Sequence, residues 1–586
     1  MYTLGEIERV RQALFENLAK QQPKWELLGQ MIAPDKYKPR GGQRNDGSRK
    51  DFKIITDQAR RSNRIFASGM SNGATPKARP WFNLTVSNEM KAMNSEARRY
   101  FKAGENTLNS HFHLSNLYRV LPMSYTDVGA FSNAAYAMLP HVKYGFYFYH
   151  YMIGTYSFAC NVEGDPIMFT RDAVMTVKQV VDSYAEANAD GKPTWANIPN
   201  WIKQYYDNAD YNQEVVINQT ILPNKNYKPG KPVFYSRDKK FQCYTFVVST
   251  AGNMPPQYNN GFRNEKDGGG DGRPFLRVSG YSYFPVIIPR WEVAAEEDFG
   301  SGAPGDMALA DILTIQQLEK DRLDAVAKGI RPPMMGHASM RRHQASILPG
   351  GITYLDDAAW QNGGFKPAMA IDMRINDLLS AKQEYVQAVR SAFFEDLFMM
   401  LSGERTVSHV SAREIDEKAA ERLATLSPVM GQLDQDQNSK LIFNGQTILE
   451  EAGRFPPRPR ILEGEQMQPQ YISILAQAAK ASQMNSLERF IGFATNISAA
   501  LQDPSLLRMV GGEAAIREFG DYVAVNPNII PSEDEFAEMR EAMAQQQQAQ
   551  QQIQVAAQEA AISKDLSASK VGEGSLLDTF MTASQV

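Results

Sequence analysis

Cysteine is scarce in this chain: Cys160 and Cys243 are the only two among 586 residues. So few thiols support neither a disulfide framework nor a cysteine-based zinc site. Both lie in strand-like segments, which predicts that they are core residues. His111 and His113 lie close together, and we interpret them as a surface pair rather than a metal site.

Long apolar runs are also missing. No stretch approaches the 18 apolar residues that a transmembrane helix needs, so no membrane span is predicted. The N-terminal segment is an amphipathic helix of mixed charge, whereas a signal peptide begins with a basic region followed by an apolar core. These absences lead us to expect an intracellular, soluble protein.

Motifs for nucleotide and metal chemistry are incomplete. The Gly-Lys-Pro segments at 191–193 and 230–232 lack the spaced glycine and the Ser/Thr of a phosphate-binding loop, so no ATPase is predicted. The acidic, glycine-rich segment Asp267–Gly272 suggests a calcium loop, but its twelfth position is Val278, which cannot ligate. We therefore predict no cofactor and no metal.

Gly69–Gly73 matches the G-x-S-x-G pattern of hydrolases, with Ser71 as the nucleophile. That elbow needs a buried strand before the serine and a helix after it. Here an arginine-rich helical pattern precedes Ser71, and a turn at Pro76 follows. A serine hydrolase is kept only as the alternative to a non-enzymatic protein, and a Ser71→Ala variant would separate the two.

Charge is unevenly distributed, although the net charge is only −4. Residues 36–64 contain ten Lys/Arg against three Asp, and residues 533–586 contain nine Asp/Glu against three Lys/Arg. The basic stretch either contacts nucleic acid or an acidic partner, or is a solvated loop followed by one helix face. The acidic tail contains two glutamine runs, and it is either disordered or a long helix that gains partners in an oligomer.

Apolar spacing predicts an α+β N-terminal half. Helices are expected over residues 1–32, 56–72 and 88–109, with Thr56 or Asp57 as the cap of the second. Strand-like segments are expected over 145–174, 215–222, 232–235, 241–250 and 281–291, with a flexible loop over 254–272. After Asp306 the chain is predicted to be mostly helical.

Two long helical patterns, Asp306–Lys328 and Ile371–Leu401, flank about forty residues rich in glycine and proline. Each helix carries five acidic and three basic residues, so the pair has a net charge of −4. Their polar faces either line a weakly negative channel or are simply solvated. A short polar loop follows the second helix, and a capping box at Ser411–Glu414 starts another helix, with a bend predicted at Pro428.

Several sequence blocks follow one another along the chain. The first two are a helix, TxP turn and WF sequence over residues 57–82 and an R…MT strand end over 171–176. The next covers 283–312, with its YFP, PRW and PG sequences. The remaining blocks are Ala412–Ile415, Leu426–Leu433 and Gly453–Pro459. In this order, the blocks resemble the portal (head-to-tail connector) proteins of short-tailed, T7-like bacteriophages, and the block at 283–312 is the most specific match. The segment Lys440–Gly445 and the glycine-rich loop at 261–273 depart from the family pattern.

The resemblance implies the portal fold, a mostly helical α+β protein assembled as a ring of twelve subunits around a DNA channel. By region, it implies an α+β wing at 1–305, stem helices at 306–329 and 371–401, a clip at 330–370, a tunnel loop at 402–410, wing helices at 411–460, a crown at 461–532 and a barrel helix or disordered tail at 533–586. The expected position is one vertex of the virion's capsid, with assembly in the host cytoplasm.

The same resemblance implies the partners and the site residues. Double-stranded DNA would pass the tunnel-loop residues Ser402, Gly403, Glu404, Arg405 and Thr406 during packaging and ejection. The clip would dock the terminase large subunit and later the tail adaptor proteins, and the major capsid and scaffolding proteins are further expected partners. Trp360 either anchors a partner or packs against the neighbouring clip. A tail adaptor or other virion ring protein is the nearer alternative. The docking residues expected in the clip are Arg331, Arg341, Arg342, Asp356, Asp357, Trp360 and Lys366.

Overall fold

The computed structural model describes residues 2–39, 53–87, 94–185, 195, 197–230, 235–248, 275–335, 357, 361, 366–367, 375–401, 425–472, 490–493, 495–496, 536, 539–543, 545–546, 548–549 and 553. The chain forms two compact units. The first comprises Met1–Leu84, Lys102–Pro457 and Pro469–Ser482. The second comprises Thr85–Phe101, Arg458–Gln468 and Gln483–Val586.

The N-terminal helix α1 (Leu4–Met31) begins with a capping box. The Thr3 side chain accepts from the backbone N–H of Glu6, and the Glu6 carboxylate accepts from the backbone N–H of Thr3, so two amides that the helix cannot pair are satisfied. Its buried apolar side chains include Ile7, Leu14 and Leu18, which confirms the helix predicted from their spacing.

Ten further helices have both ends within the described residues, and strands lie between them up to Ile287, so the N-terminal half is α+β as the sequence predicted. The helix α4, which the sequence did not predict, contains Pro122 in its interior. The helices are α2 (Gln58–Ala74), α3 (Ser95–Leu114), α4 (Leu117–Phe131), α5 (Val177–Tyr184), α6 (Asn200–Asp207), α7 (Pro304–Met307), α8 (Leu309–Ile330), α9 (Ile375–Ala392), α10 (Glu395–Leu401) and α11 (Ser439–Glu451). None of the helices in the described part of the chain has the length and apolarity to cross a bilayer.

Among the described residues the strands form four sheets, in the orders β1-β12, β10-β11, β3-β2-β9 and β4-β5-β6-β7-β8. A mixed α+β fold is therefore confirmed. The strands are β1 (Phe82–Val86), β2 (Ala135–His141), β3 (Gly145–Tyr151), β4 (Tyr156–Cys160), β5 (Pro166–Thr176), β6 (Glu214–Pro223), β7 (Phe241–Val247), β8 (Arg277–Tyr281), β9 (Val286–Ile287), β10 (Met334–Met335), β11 (Lys366–Pro367) and β12 (Met467–Tyr471).

Polar bonds as well as apolar contacts hold α1 to one face of the five-stranded antiparallel sheet. Arg11 donates from Nη2 to Oδ2 of Asp172 on β5 over 2.6 Å, and Asn218 on β6 donates to the other oxygen of Asp172. Ile7 packs with Tyr244 and Phe246 of β7 at the same face. The buried charge of Arg11 is thus paired, as burial requires.

The strand predicted over Tyr281–Trp291 is wrong in extent. The strand β8 ends at Tyr281, and only Val286–Ile287 pairs again, with β2. Pro285 and Pro289 lack the N–H that a ladder needs, so they limit this segment to two paired residues and an isolated bridge at Arg290. The segment 232–235 lies mostly outside the described residues, as does the predicted loop at 254–272.

Both long helices are interrupted, contrary to the prediction of continuous rods. The first is split at Ala308 into α7 and α8. The second is split between α9 and α10, where Phe394 adopts a positive φ of 54°. No glycine or proline marks that break, so the sequence pattern gave no sign of it. Residues 371–374 lie outside the described part of the chain.

The helical segment near Pro428 is continuous. Residues 425–433 are helical, Asp434–Asn438 forms a π-helical turn, and α11 follows directly. The bend predicted at Pro428 is therefore wrong, and the irregularity lies six residues later. The capping box at Ser411–Glu414 is outside the described residues.

The second unit is described only in part. Leu462 and Met467 are buried within it, and so is Ala97 near the start of α3. Its described tail residues, between Phe536 and Ile553, are helical and largely exposed.

Candidate functional site

The helices α8 and α9 pack against each other, and an ion cluster joins them. Glu319 on α8 accepts from Arg322 one turn later at 2.6 Å and from Lys382 on α9 at 2.8 Å. The hydrogen bonds from Arg322 and then Lys382 lower the pKa of Glu319 to about 2, so this carboxylate is charged at neutral pH. The cluster fixes the register of one helix against the other.

Gln316 fastens α8 to the segment that leads into α2. Its Oε1 accepts the backbone N–H groups of Ile55 and Thr56 at 2.8 and 3.0 Å, and its Nε2 donates to the carbonyl of Thr56 at 2.9 Å. A side-chain amide can make four hydrogen bonds, and Gln316 makes these three, so both its oxygen and its nitrogen are paired. This buried amide therefore sets where the helix pair leaves the α+β region.

The break after α9 is packed tightly against α2. Phe398 on α10 lies 5.9 Å from Phe66 between ring centroids, in an edge-on arrangement. A Cβ at Gly69 would meet the Phe398 ring at 2.2 Å, so only glycine permits this approach. Glu395 at the start of α10 accepts from Ser62 of α2 at 2.7 Å. The short helix α10 is thus locked in direction by α2.

Beyond the end of α8, the chain forms the short strand β10, which pairs with β11 ahead of α9. Met334 pairs with Pro367 and Met335 with Lys366 in an antiparallel ladder. Along the pair itself, several apolar side chains remain exposed in the single chain. They are Leu313 at 37%, Leu323 at 47%, Ile330 at 74%, Leu379 at 40% and Tyr385 at 36%.

A second ion cluster, entirely buried, lies at the π-helical turn. Arg290 donates from Nε and Nη2 to the two oxygens of Asp436, each at 2.8 Å, and both side chains are only 2% exposed. Nη2 also donates to the carbonyl of Gly164 at 2.8 Å. A bidentate guanidinium–carboxylate pair of this kind is among the strongest polar contacts in proteins. It connects the segment after β9 to the helix that contains the π turn.

A family model described as "Bacteriophage head to tail connecting protein" matches residues 4–530 of the chain. The chain belongs to this family. The resemblance stated from the sequence motifs is therefore confirmed.

Two curated relatives agree with this assignment to the connector family. The chain is 30% identical over 539 residues to the "Portal protein" of Salmonella phage epsilon15, covering 92% of this chain and 91% of the relative. It is 27% identical over 520 residues to the "Probable portal protein" of Bordetella phage BPP-1, covering 88% and 87%. Among solved structures, a chain titled "Neck of empty GTA particle computed with C6 symmetry" is 10% identical over 77% of this chain and 90% of that chain, with a TM-score of 0.31, which supports no argument.

Most site residues expected for a connector lie outside the described residues. These are the tunnel-loop residues Ser402, Gly403, Glu404, Arg405 and Thr406 and the clip residues Arg341, Arg342, Asp356 and Trp360. Three clip residues are described. Arg331 follows α8 directly, Asp357 is exposed, and Lys366 belongs to β11.

The motifs that suggested other chemistry have structural roles in this connector. Ser71 lies inside α2, so the strand-to-helix elbow of a hydrolase is not formed there. His111 contacts the carbonyl of Tyr144 at 3.0 Å, and the described residues contain no cluster suited to a metal ion. Burial raises the pKa of Cys160 to about 12 and that of Cys243 to about 11, so neither thiol is a nucleophile at neutral pH.

Sequence reasoning missed the role of Arg290. An arginine inside the apolar run YFPVIIPRW was the available signal, because a buried charge demands a partner. Its partner, Asp436, is 146 positions away along the chain, and no local pattern indicates which carboxylate it is. Glu319 was likewise counted only as one of the helix charges.

Proposed function

We propose that this connector is a portal: a ring of twelve copies at one capsid vertex of a short-tailed phage, through which double-stranded DNA enters and leaves. Membership of the connector family and the portal names of two relatives support this function. The observation that carries the ring is the helix pair α8/α9, whose apolar side chains are left uncovered by the single chain. A neighbouring copy on each side would bury them.

The same helix pair is our candidate for the channel wall, or stem. At about 1.5 Å per residue, the 22 residues of α8 span roughly 33 Å. The helix α8 contains four acidic and three basic residues. This weakly negative balance would let DNA slide rather than adhere. The predicted division into wing, stem, clip, tunnel loop and crown remains part of this proposal.

Docking and DNA contact are assigned by position. We place Glu404 and Arg405 of the tunnel loop nearest the DNA, and the clip residues between α8 and α9 at the surface that meets the terminase and then the tail adaptor. Contacts with major capsid and scaffolding proteins, and assembly in the host cytoplasm, belong to the same proposal. Glu404→Ala and Arg405→Ala variants should form normal rings but retain less packaged DNA, and normal retention in both would refute the tunnel-loop role.

Electron microscopy of the purified full chain tests the ring. End-on class averages should show twelve subunits and a central hole. Leu323→Glu places a charge on the exposed stem surface and should reduce the fraction of chains in rings several-fold, because charge is costly at an apolar interface.

The matched control is Val162→Glu, since Val162 is fully exposed in the β4–β5 turn and away from the helix pair. It should leave ring formation unchanged. Monomers in the unmodified protein would refute the portal ring. Undiminished rings in Leu323→Glu would refute the stem as the subunit interface while leaving the ring itself standing.

A further inference from the structure

The five-stranded sheet has an open cavity on the face opposite α1. Its volume is about 1120 Å³. At one end of this face, α5 and α6 cover the sheet through Val180 and Ile202, which pack with Ile217 of β6. Beyond these helices the cavity lies over the strands, and the hairpin of β2 and β3 forms the opposite wall through Tyr147 and Tyr149. All the residues that line the cavity belong to one chain.

A polar row crosses the floor of this cavity. Arg171 on β5 is paired with Gln219 on β6, Gln219 with Thr245 on β7, and Thr245 with Arg277 on β8. Directly opposed residues of antiparallel strands project to the same face, so all four line the cavity. An arginine therefore stands at each end of the row.

The charges of the cavity are unbalanced. Its lining contains Lys38, Arg171 and Arg277, and its carboxylate is Asp172, which already pairs with Arg11 on the other face of the sheet. No carboxylate among the described residues forms an ion pair with Arg171 or Arg277, and Nε of Arg171 is buried without a hydrogen-bond acceptor. A buried donor of this kind calls for an acceptor from a ligand.

The tyrosines around the row supply hydroxyl donors rather than stacking surfaces. Arg171 lies 4.1 Å from the centre of the Tyr151 ring, and Phe169 stacks on Tyr151 at 5.6 Å, so the ring is already occupied by partners. Burial raises the pKa values of Tyr151, Tyr184 and Tyr281, so their hydroxyl groups stay protonated at neutral pH. Protonated hydroxyls beside guanidinium groups suit carboxylate oxygens.

The spacing of the row defines the ligand. Strands lie about 4.8 Å apart, so three intervals separate Arg171 and Arg277 by roughly 14 Å along the sheet. That distance is too great for both to hold one phosphate or carboxylate. It matches two acidic side chains four residues apart in an extended peptide, at about 3.3 Å per residue.

We propose that this cavity binds an acidic, extended peptide segment of a partner protein, with Arg171 and Arg277 each holding one carboxylate. Single-stranded nucleic acid fits less well, because the Tyr151 ring beside the arginine row is already covered and aromatic side chains open to a base lie only in the opposite wall, among the described lining residues. Duplex DNA is too wide to enter a cavity of this size.

Fluorescence anisotropy on the full chain tests the proposal. The probe is a dye-labelled nonapeptide, Gly-Ser-Glu-Gly-Ser-Gly-Glu-Gly-Ser, whose two glutamates are four residues apart. The Arg277→Gln variant should weaken its binding about tenfold, since one charge-assisted hydrogen bond is lost. Because Arg277 is exposed, we expect this variant to keep its fold. A melting curve of the variant is the check. Arg171→Gln should weaken binding at least as much.

The matched control is Arg9→Gln, an exposed arginine of α1 on the other side of the sheet, which should leave binding unchanged. Four outcomes overturn the proposal. One is equal binding of the peptide with glutamine in place of both glutamates. A second is equal binding of a nine-residue oligothymidylate, which indicates a nucleic-acid site. A third is displacement by inorganic phosphate at the concentration of the peptide, which indicates a small-anion site. The fourth is unaltered affinity in folded Arg277→Gln.

Discussion

Two ion clusters of similar composition lie in very different surroundings. Around Asp436 a guanidinium is paired bidentately, and both side chains are 2% exposed. Around Glu319 two cations share one carboxylate, but the Arg322 and Lys382 side chains are 29% and 25% exposed. The same pairing of a carboxylate with cations thus occurs once away from water and once at the protein surface.

The difference teaches what each cluster is able to do. A buried charge that loses its partner cannot recover the solvation it gave up on folding, so the Arg290 pair acts as a fixed joint. A charge at the surface exchanges its partner for water at little cost, so the Glu319 cluster sets register without making the helix pair rigid. If the α8/α9 pair forms the channel wall proposed above, it must adjust to moving DNA. It would then need a partly exposed ion cluster such as that of Glu319, whereas the rest of the protein would need a buried pair such as that of Arg290.

The largest effect is expected at the buried cluster. Asp436→Asn leaves the shape but removes the charge, so Arg290 is buried unpaired, and the free energy of unfolding should fall by about 3–5 kcal/mol. Urea denaturation of the full chain at fixed concentration measures it. The control Asp182→Asn removes an exposed carboxylate 4.0 Å from Lys178 and should change stability by less than about 0.5 kcal/mol. Equal effects of the two variants would contradict the comparison.

The sequence predicted the helices and strands better than the breaks between helices. Apolar spacing and a capping box identify α1, and clusters of β-branched and aromatic residues identify β6 and β7, because these signals act over a few residues. The break at Phe394 carries no glycine or proline, and the helix α10 that follows it packs through Phe398 against Phe66 and Gly69. The helix α4 was missed since Pro122 reads locally as a break, although burial of its faces overrides that preference.

The sequence predicted only those parts of the candidate site that depend on residues close together along the chain. Two long helices with an excursion between them are visible in the pattern, and they pack together as a pair. That Glu319 meets Lys382, 63 positions away, depends on the register of the two helices. The row from Arg171 to Arg277 depends on strand pairing across four strands, which no single-sequence motif encodes.

A third carboxylate, Asp434, sharpens the comparison because it is half-buried and forms no ion pair with a described residue. Burial raises the pKa of Asp434 from 3.8 to about 6, although the amide of Asn438 donates to it at 2.7 Å. Since the folded-state pKa lies above the unfolded value, the stabilising contribution is fully present below pH 3.8 and is lost as the pH rises through 6. Asp434 therefore lowers stability at neutral pH.

Asp434→Asn should remove that cost. At pH 8 the variant should be more stable than the unmodified chain by about 1–3 kcal/mol, and at pH 4 the two should differ little, at roughly 1.4 kcal/mol per pKa unit. Melting temperatures across this range measure the difference, with Asp182→Asn as a pH-independent control. A destabilised variant at pH 8 would mean that the negative charge itself is used by a cation of the assembled connector.

The smallest effect is expected at the exposed cluster. The pKa of Glu319 is lowered below its ordinary 4.5 to about 2, so its contribution is present above pH 4.5 and is lost as the pH falls towards 2. Because water screens Arg322 and Lys382, Glu319→Gln should cost only about 0.5–1 kcal/mol at pH 7 and less in high salt. Glu384→Gln, an exposed carboxylate on α9, is the control. A cost as large as that of Asp436→Asn would show that register between α8 and α9, and not exclusion of water, decides what an ion pair contributes in this protein.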